Sequence, residues 1–153
     1  MDAIALLKAD HDKVKKLLSD GEETTERAEK GRTELFATLK EEMLIHERIE
    51  EEIFYPALKA HPKAKDIVLE GYEEHHVVDE IMGELETTPV TDEKWAAKFL
   101  VMKENIEHHI EEEEGEMFQK ARQVFDREEL EELGRVMEAR KQEAMREQGI
   151  TAG

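Results

Sequence analysis

The 153-residue chain has 40 acidic against 22 basic residues, a formal charge of −18, no cysteine, three prolines and eight glycines. The length suits one domain with a real hydrophobic core, and so few chain breakers beside 41% charged residues suit helices rather than a sandwich or barrel. The acidic surface repels phosphate backbones and anionic lipid heads, which argues against nucleic-acid or membrane partners, and the missing cysteines exclude disulfides, thiolate metal sites and cysteine nucleophiles.

From about residue 2 to 19, Ile4, Leu7, His11, Val14 and Leu18 recur at steps of three and four, which predicts an amphipathic helix with His11 inside its apolar stripe. Residues 20–31, opening on Asp-Gly and closing on Lys-Gly, read as a polar connection or a frayed extension of the helix. A second helix is expected over about 32–55, its stripe running Leu35, Leu39, Met43, His46, Glu50 and Ile53. Pro56 should end or kink it, because proline lacks the amide that an interior turn needs. His61 precedes Pro62 and is expected in an exposed loop.

A third helix, about 64–86, carries Val68, Tyr72, His75, Val78, Met82 and Leu85. After the loop 87–92, with Thr91 or Asp92 as cap, a fourth helix is predicted to about 122. Its stripe is Trp95, Phe99, Met102, Ile106, His109, Glu113 and Met117, so Glu113 stands where an apolar residue is expected. Asp126 and Glu129 have capping-box spacing and open a fifth helix to about 147, read as a cover or association surface, with a loose end after it. The expected architecture is all-α: an up-and-down antiparallel four-helix bundle over 1–122, with an additional C-terminal helix and tail over 123–153. No apolar run approaches the roughly 20 residues of a membrane span. The N-terminus is too short and too acidic at its start for a signal peptide, so a cytoplasmic protein is expected.

Five of the seven histidines have an acid four residues on, so His46–Glu50 or His109–Glu113 alone means little in so acidic a chain. Position carries more weight. Charged groups are rarely buried unless paired or metal-bound, yet Glu50 and Glu113 fall on apolar stripes beside histidines that do the same. At 1.5 Å rise per residue His46 and His75 fall at nearly the same level and His11 is compatible with His109, so one core layer would gather four imidazoles and two carboxylates. That thiolate-free set favours a pair of iron or manganese ions bridged by the carboxylates; a lone structural zinc would leave two carboxylates over. Ferritin-like di-iron bundles need Glu-x-x-His on two helices, and here it occurs once, at Glu73 and His76. Glu114 competes with Glu113, and His76 with His75. His76 and His108 read as solvated or outer partners, Tyr72 as packing, and Met43, Met82, Met102 and Met117 as core filler.

Asp10-His11-Asp, His46-Glu-Arg-Ile-Glu50 with its Phe-Tyr-Pro exit, Glu74-His75, and His109-Ile-Glu-Glu-Glu113 with Met117-Phe118 occur in order on the four helices. In these motifs the chain resembles the hemerythrin-like family, the HHE cation-binding domain. The resemblance implies a four-helix bundle around two non-haem iron ions, oxo- or hydroxo-bridged, that meet dioxygen or another small oxidant such as peroxide or nitric oxide, for sensing or defence. Peroxide consumption, ferrous oxidation and iron storage are the competing roles. Two departures stand out. Asp79 occupies the position of a fifth histidine in oxygen-carrying hemerythrins, which disfavours reversible oxygen transport and makes Asp79 a candidate ligand or neighbour of the metal. Gln119 stands where a second proline would repeat the Pro56 exit, which implies a longer fourth helix.

Overall fold

The computed structural model describes residues 1–149, and the expected loose end beyond them lies outside that range. Five helical rods account for the described chain. They are α1 (Ala3–Glu22), α2 (Glu29–Ile49), α3 (Lys65–Glu86), α4 (Glu93–Glu112) and α5 (Arg127–Glu147). Two rods are longer than these spans. A π turn, Glu50–Phe54, and an α segment, Tyr55–Lys59, continue α2; Glu113–Met117 and Phe118–Val124 continue α4 in the same manner.

Caps start three rods. Asp2 accepts the Ala5 amide at 2.8 Å, and Asp92, rather than Thr91, accepts the Lys94 amide at 2.9 Å. Asp126 and Glu129 close the expected capping box. The first connection is shorter than the sequence suggests, because Asp20-Gly21 is helix rather than turn. A Cβ on Gly21 would stand 2.3 Å from Phe99, so this glycine serves close packing of α1 on α4. Pro56 does not end α2 either. In the π turn the Tyr55 amide reaches back five residues to the Glu50 carbonyl, and the rod absorbs the proline and runs on to Lys59.

The pairing of rods can be read from contacts along them. Lys13 meets Glu42 and Asp10 meets His46; Glu50 meets His75 and Lys40 meets Glu86; Glu84 meets Lys98 and Glu74 meets His109. In each pair, rising numbers in one helix face falling numbers in the next. Two apolar clusters fill the interior. One joins Leu7, Ile49, Phe54, Val68 and Phe118, and the other joins Val14, Leu39, Met82, Phe99 and Ile106. On the first three rods the chain passes from one cluster to the other across a buried histidine, and on the fourth it does so just past His109, between Ile110 and Met117. The four methionines expected as core filler are core. The fifth helix is more than a cover: Leu130 and Met137 belong to the first cluster, and Gly134 lies directly against the backbone of residues 1–3.

Candidate metal centre

Between the two clusters the structure gathers all six residues expected there. His11, His46, Glu50, His75, His109 and Glu113 are buried, Glu50 and Glu113 with no exposed surface at all. They form two groups that share Glu50. His11 and His46 meet Glu50 and Glu113, and His75 and His109 meet Glu50, with the potential ligand atoms of each group within 4.8 Å of one another. The imidazoles meet edge to face within the α1–α2 and α3–α4 pairs, at 5.0 and 4.8 Å.

Each imidazole is held from behind by an acid. The Nδ1 of His11 donates to Glu114 at 2.7 Å, His46 to Asp10 at 2.9 Å, His75 to Glu51 at 2.9 Å, and His109 to Glu74 at 2.7 Å. A carboxylate can only accept, so Nδ1 carries a hydrogen and Nε2 is turned inward toward the buried carboxylates, where a metal ion could take the place of a proton. There the Glu113 oxygens divide: Oε1 lies 3.1 Å from His11 Nε2, and Oε2 lies 3.1 Å from His109 Nε2. Glu50 Oε1 lies 3.2 Å from His46 Nε2 and 3.1 Å from His75 Nε2. His46 Nε2 and Glu50 Oε2 are buried with no aligned hydrogen-bond partner.

The centre is nearly two-fold. Asp10-His11 on α1 corresponds to Glu74-His75 on α3, and His46, Glu50 and Glu51 on α2 correspond to His109, Glu113 and Glu114 on α4. The correspondence breaks at the ends of the π turns. Phe118 stacks on His11, 6.0 Å away with the rings 5° from parallel, and Tyr55 stacks on His75 at 5.3 Å. The phenol alone adds a donor: Tyr55 Oη donates to Glu113 at 2.7 Å and lies 3.4 Å from both His75 Nε2 and His109 Nε2. Sequence reasoning missed Tyr55, because a residue five positions after Glu50 would stand about 140° round a regular helix. The extra residue of the π turn returns it to the inner face. The signal available was Pro56, which forbids a regular turn just there. Gly71 completes the fit: a Cβ on it would come within 2.9 Å of Tyr55 Oη.

The other candidates stand outside. Glu114 backs His11 rather than replacing Glu113. Asp79 is exposed and borders Glu47, whose carboxyl is pushed up to about 9 by burial and by Asp79, and Asp79 joins neither buried group. His76 is exposed and pairs with Glu80. His108 is exposed beside Glu112 and Glu74. Tyr72 packs edge-on against Tyr55, as a packing residue should. His61 is half-buried against Phe125 at 5.2 Å rather than free in a loop.

Electrostatically the site is tuned for cations. Burial opposes protonation of His75 and His109, but Glu50 and Glu51 outweigh it for His75 and Glu113 and Glu74 outweigh it for His109, lifting them to about 9 and about 10. Burial likewise opposes charge on Asp10, yet His46 and Lys141 hold it down at about 2. Six carboxylates, Asp10, Glu50, Glu51, Glu74, Glu113 and Glu114, thus surround four imidazoles, a negative charge that favours a bound cation.

A family model for the hemerythrin HHE cation-binding domain matches residues 2–121. The chain belongs to that family. Among solved structures it is similar to a hemerythrin HHE cation-binding domain-containing protein from Mycobacterium kansasii, described as a homolog of Rv2633c. The two share 32% identity over 96% of this chain and 89% of the other, with a TM-score of 0.86. A search of curated proteins finds no match. The family's five-helix member seen here carries its histidine–acid groups in the interior, and none of its described helices is long and apolar enough to cross a membrane.

Proposed function

We propose that this hemerythrin-family chain holds two non-haem iron ions and binds or reacts with dioxygen or a related small oxidant, in sensing or stress defence in the cytoplasm. One observation carries the reading: four Nδ1–H···carboxylate bonds aim four Nε2 atoms at one buried space lined by two carboxylates. His11 and His46 would hold one ion and His75 and His109 the other, with Glu50 and Glu113 available to both. The donor set fits the group, because nitrogen and oxygen ligands with bridging carboxylates suit iron or manganese pairs. When bound, such a pair supplies reversible one- and two-electron redox chemistry.

The chain's own residues set the conditions for it. The apolar clusters above and below exclude bulk water, and full burial restricts access to small molecules. Tyr55 adds an oxygen donor on the His75–His109 side, where Asp79 replaces a histidine and does not reach. Phe118 adds none on the His11–His46 side, which is left with fewer donors. In this reading residues 1–122 form an up-and-down antiparallel bundle and 123–153 a C-terminal helical extension and tail, of which the described part packs onto the bundle, in keeping with the family match to 121.

A second role, peroxide-consuming or ferrous-oxidising turnover, is favoured by the anionic character of the donors, since carboxylates and a phenolate stabilise the ferric state. Rapid-mixing spectra separate the two: a reversible oxygen adduct supports binding, and catalytic loss of peroxide supports turnover. The two-iron reading itself is tested by metal analysis and an optical spectrum of protein purified without chelator. Two irons per chain with near-ultraviolet bridge absorption are expected. Stoichiometric zinc without iron, after growth in iron-rich medium, would overturn it.

A further inference from the structure

Asp10 is buried, and its two oxygens face different helices. Oδ2 accepts from His46 Nδ1 at 2.9 Å, and Oδ1 accepts from the Lys141 ammonium at 2.5 Å. Lys141 belongs to α5. Its counterpart is missing from the other half of the centre. Glu74 accepts from His109 with Oε1, while Oε2 faces the exposed His108 at 3.9 Å. Among the described residues no lysine or arginine stands within ion-pair distance of Glu74.

The ammonium does two things for Asp10. It satisfies the oxygen that His46 does not use, which fixes the carboxylate's rotation, since a buried carboxylate with a vacant oxygen is costly. It also draws off negative charge, which limits how strongly Asp10 makes His46 basic. Both effects reach the imidazole, because the outer partner of a ligating histidine sets its ring orientation and donor strength.

We infer that Lys141 is a positioning residue: through Asp10, the fifth helix orients His46 and so governs the metal position at His11 and His46, and not the one at His75 and His109. The inference rests on the two-iron reading above. It separates from a plain structural role for α5 because that helix has a second tie, Arg140 to Glu52 in the π turn at 2.7 Å, that touches none of the inward-facing histidines or carboxylates.

The test compares wild type with Lys141→Met, Lys141→Arg and Arg140→Met. Each is loaded anaerobically with ferrous iron and titrated with a chelator, and each is melted in the metal-free state. Wild type is expected to hold two ions. Lys141→Met should release one of them about tenfold more readily, the lower end of what loss of an outer partner costs, and keep the other unchanged. Lys141→Arg should behave like wild type, and Arg140→Met should lower the melting temperature without loosening either ion. Should Lys141→Met not fold, Lys141→Gln is expected to show the same one-ion weakening. Retention of both ions by the methionine or glutamine variant overturns the inference. So does equal loosening in Arg140→Met, or equal weakening of both positions. Fewer than two ions in wild type would instead overturn the two-iron reading, and this inference with it.

Discussion

Glu50 and Glu113 each stand between imidazoles from different helices, whereas Glu112, a neighbour in the same acid run, pairs at the surface with His108. Under the two-iron proposal, removing an inner carboxylate would deprive both ions of a donor. Glu50→Ala and Glu113→Ala are each expected to lower iron affinity at least about tenfold, and Glu112→Ala to leave it near wild type. Equal losses in a chelator competition would refute that assignment. At this scale the inner residues are readable because a charged group on an apolar stripe is an anomaly that metal resolves. Glu113 is distinguishable from Glu114 by the same stripe. Asp79 misleads, since its position implies a ligand by resemblance while its exposure leaves it with Glu47. Tyr55 is not readable from regular helical periodicity.

The reason for Tyr55 lies in the element. Each ligand-bearing rod of the pair α2 and α4 opens a π turn at its inner carboxylate, Glu50 or Glu113, so that the aromatic five residues on faces inward. A one-residue insertion after Ile53 would carry Tyr55 about 100° away. Deleting Glu52 would instead leave the tyrosine four residues after Glu50 in a regular helix, still on the inner face. In iron-loaded protein the insertion should abolish the visible tyrosinate-to-iron band as completely as Tyr55→Phe, while the deletion keeps it. A band that survives in Tyr55→Phe would show that the phenol does not reach the metal. Helix existence and type follow from the stripes of Leu, Met, Val and Ile. The places where expectation fails are local: Asp20-Gly21 makes a close helix contact instead of a turn, and Pro56 is taken up by a π turn instead of ending a helix.

Over the whole molecule, the buried histidines link metal to stability. In metal-free protein His75 and His109 are raised above the ordinary value of 6.5 to about 9 and about 10, because neighbouring carboxylates outweigh burial. A raised folded value means the contribution is complete below pH 6.5 and is lost as the pH climbs through 9 to 10, since the unfolded chain releases those protons first. Glu47, raised to about 9 by burial, acts in the same direction from pH 4.5 upward. Asp10 works oppositely, stabilising above pH 3.8 and failing as the pH falls toward 2. Metal-free protein should thus melt at progressively lower temperature from pH 6.5 to 10. Iron, which replaces the protons, should flatten that decline and release protons on binding. Melting curves with and without chelator across this range check it, and parallel curves would contradict it.

The near two-fold layout of the centre also bears on how the halves depend on each other. Within each helical hairpin one histidine is backed by the partner helix, His46 by Asp10 and His109 by Glu74. Between hairpins, Glu51 backs His75 and Glu114 backs His11. Neither hairpin therefore orients all of its own imidazoles. The chain has the form of two like hairpins joined through the loop between Glu86 and Glu93, each completing the other, and made unequal by Tyr55 against Phe118 and by a fifth-helix lysine on Asp10.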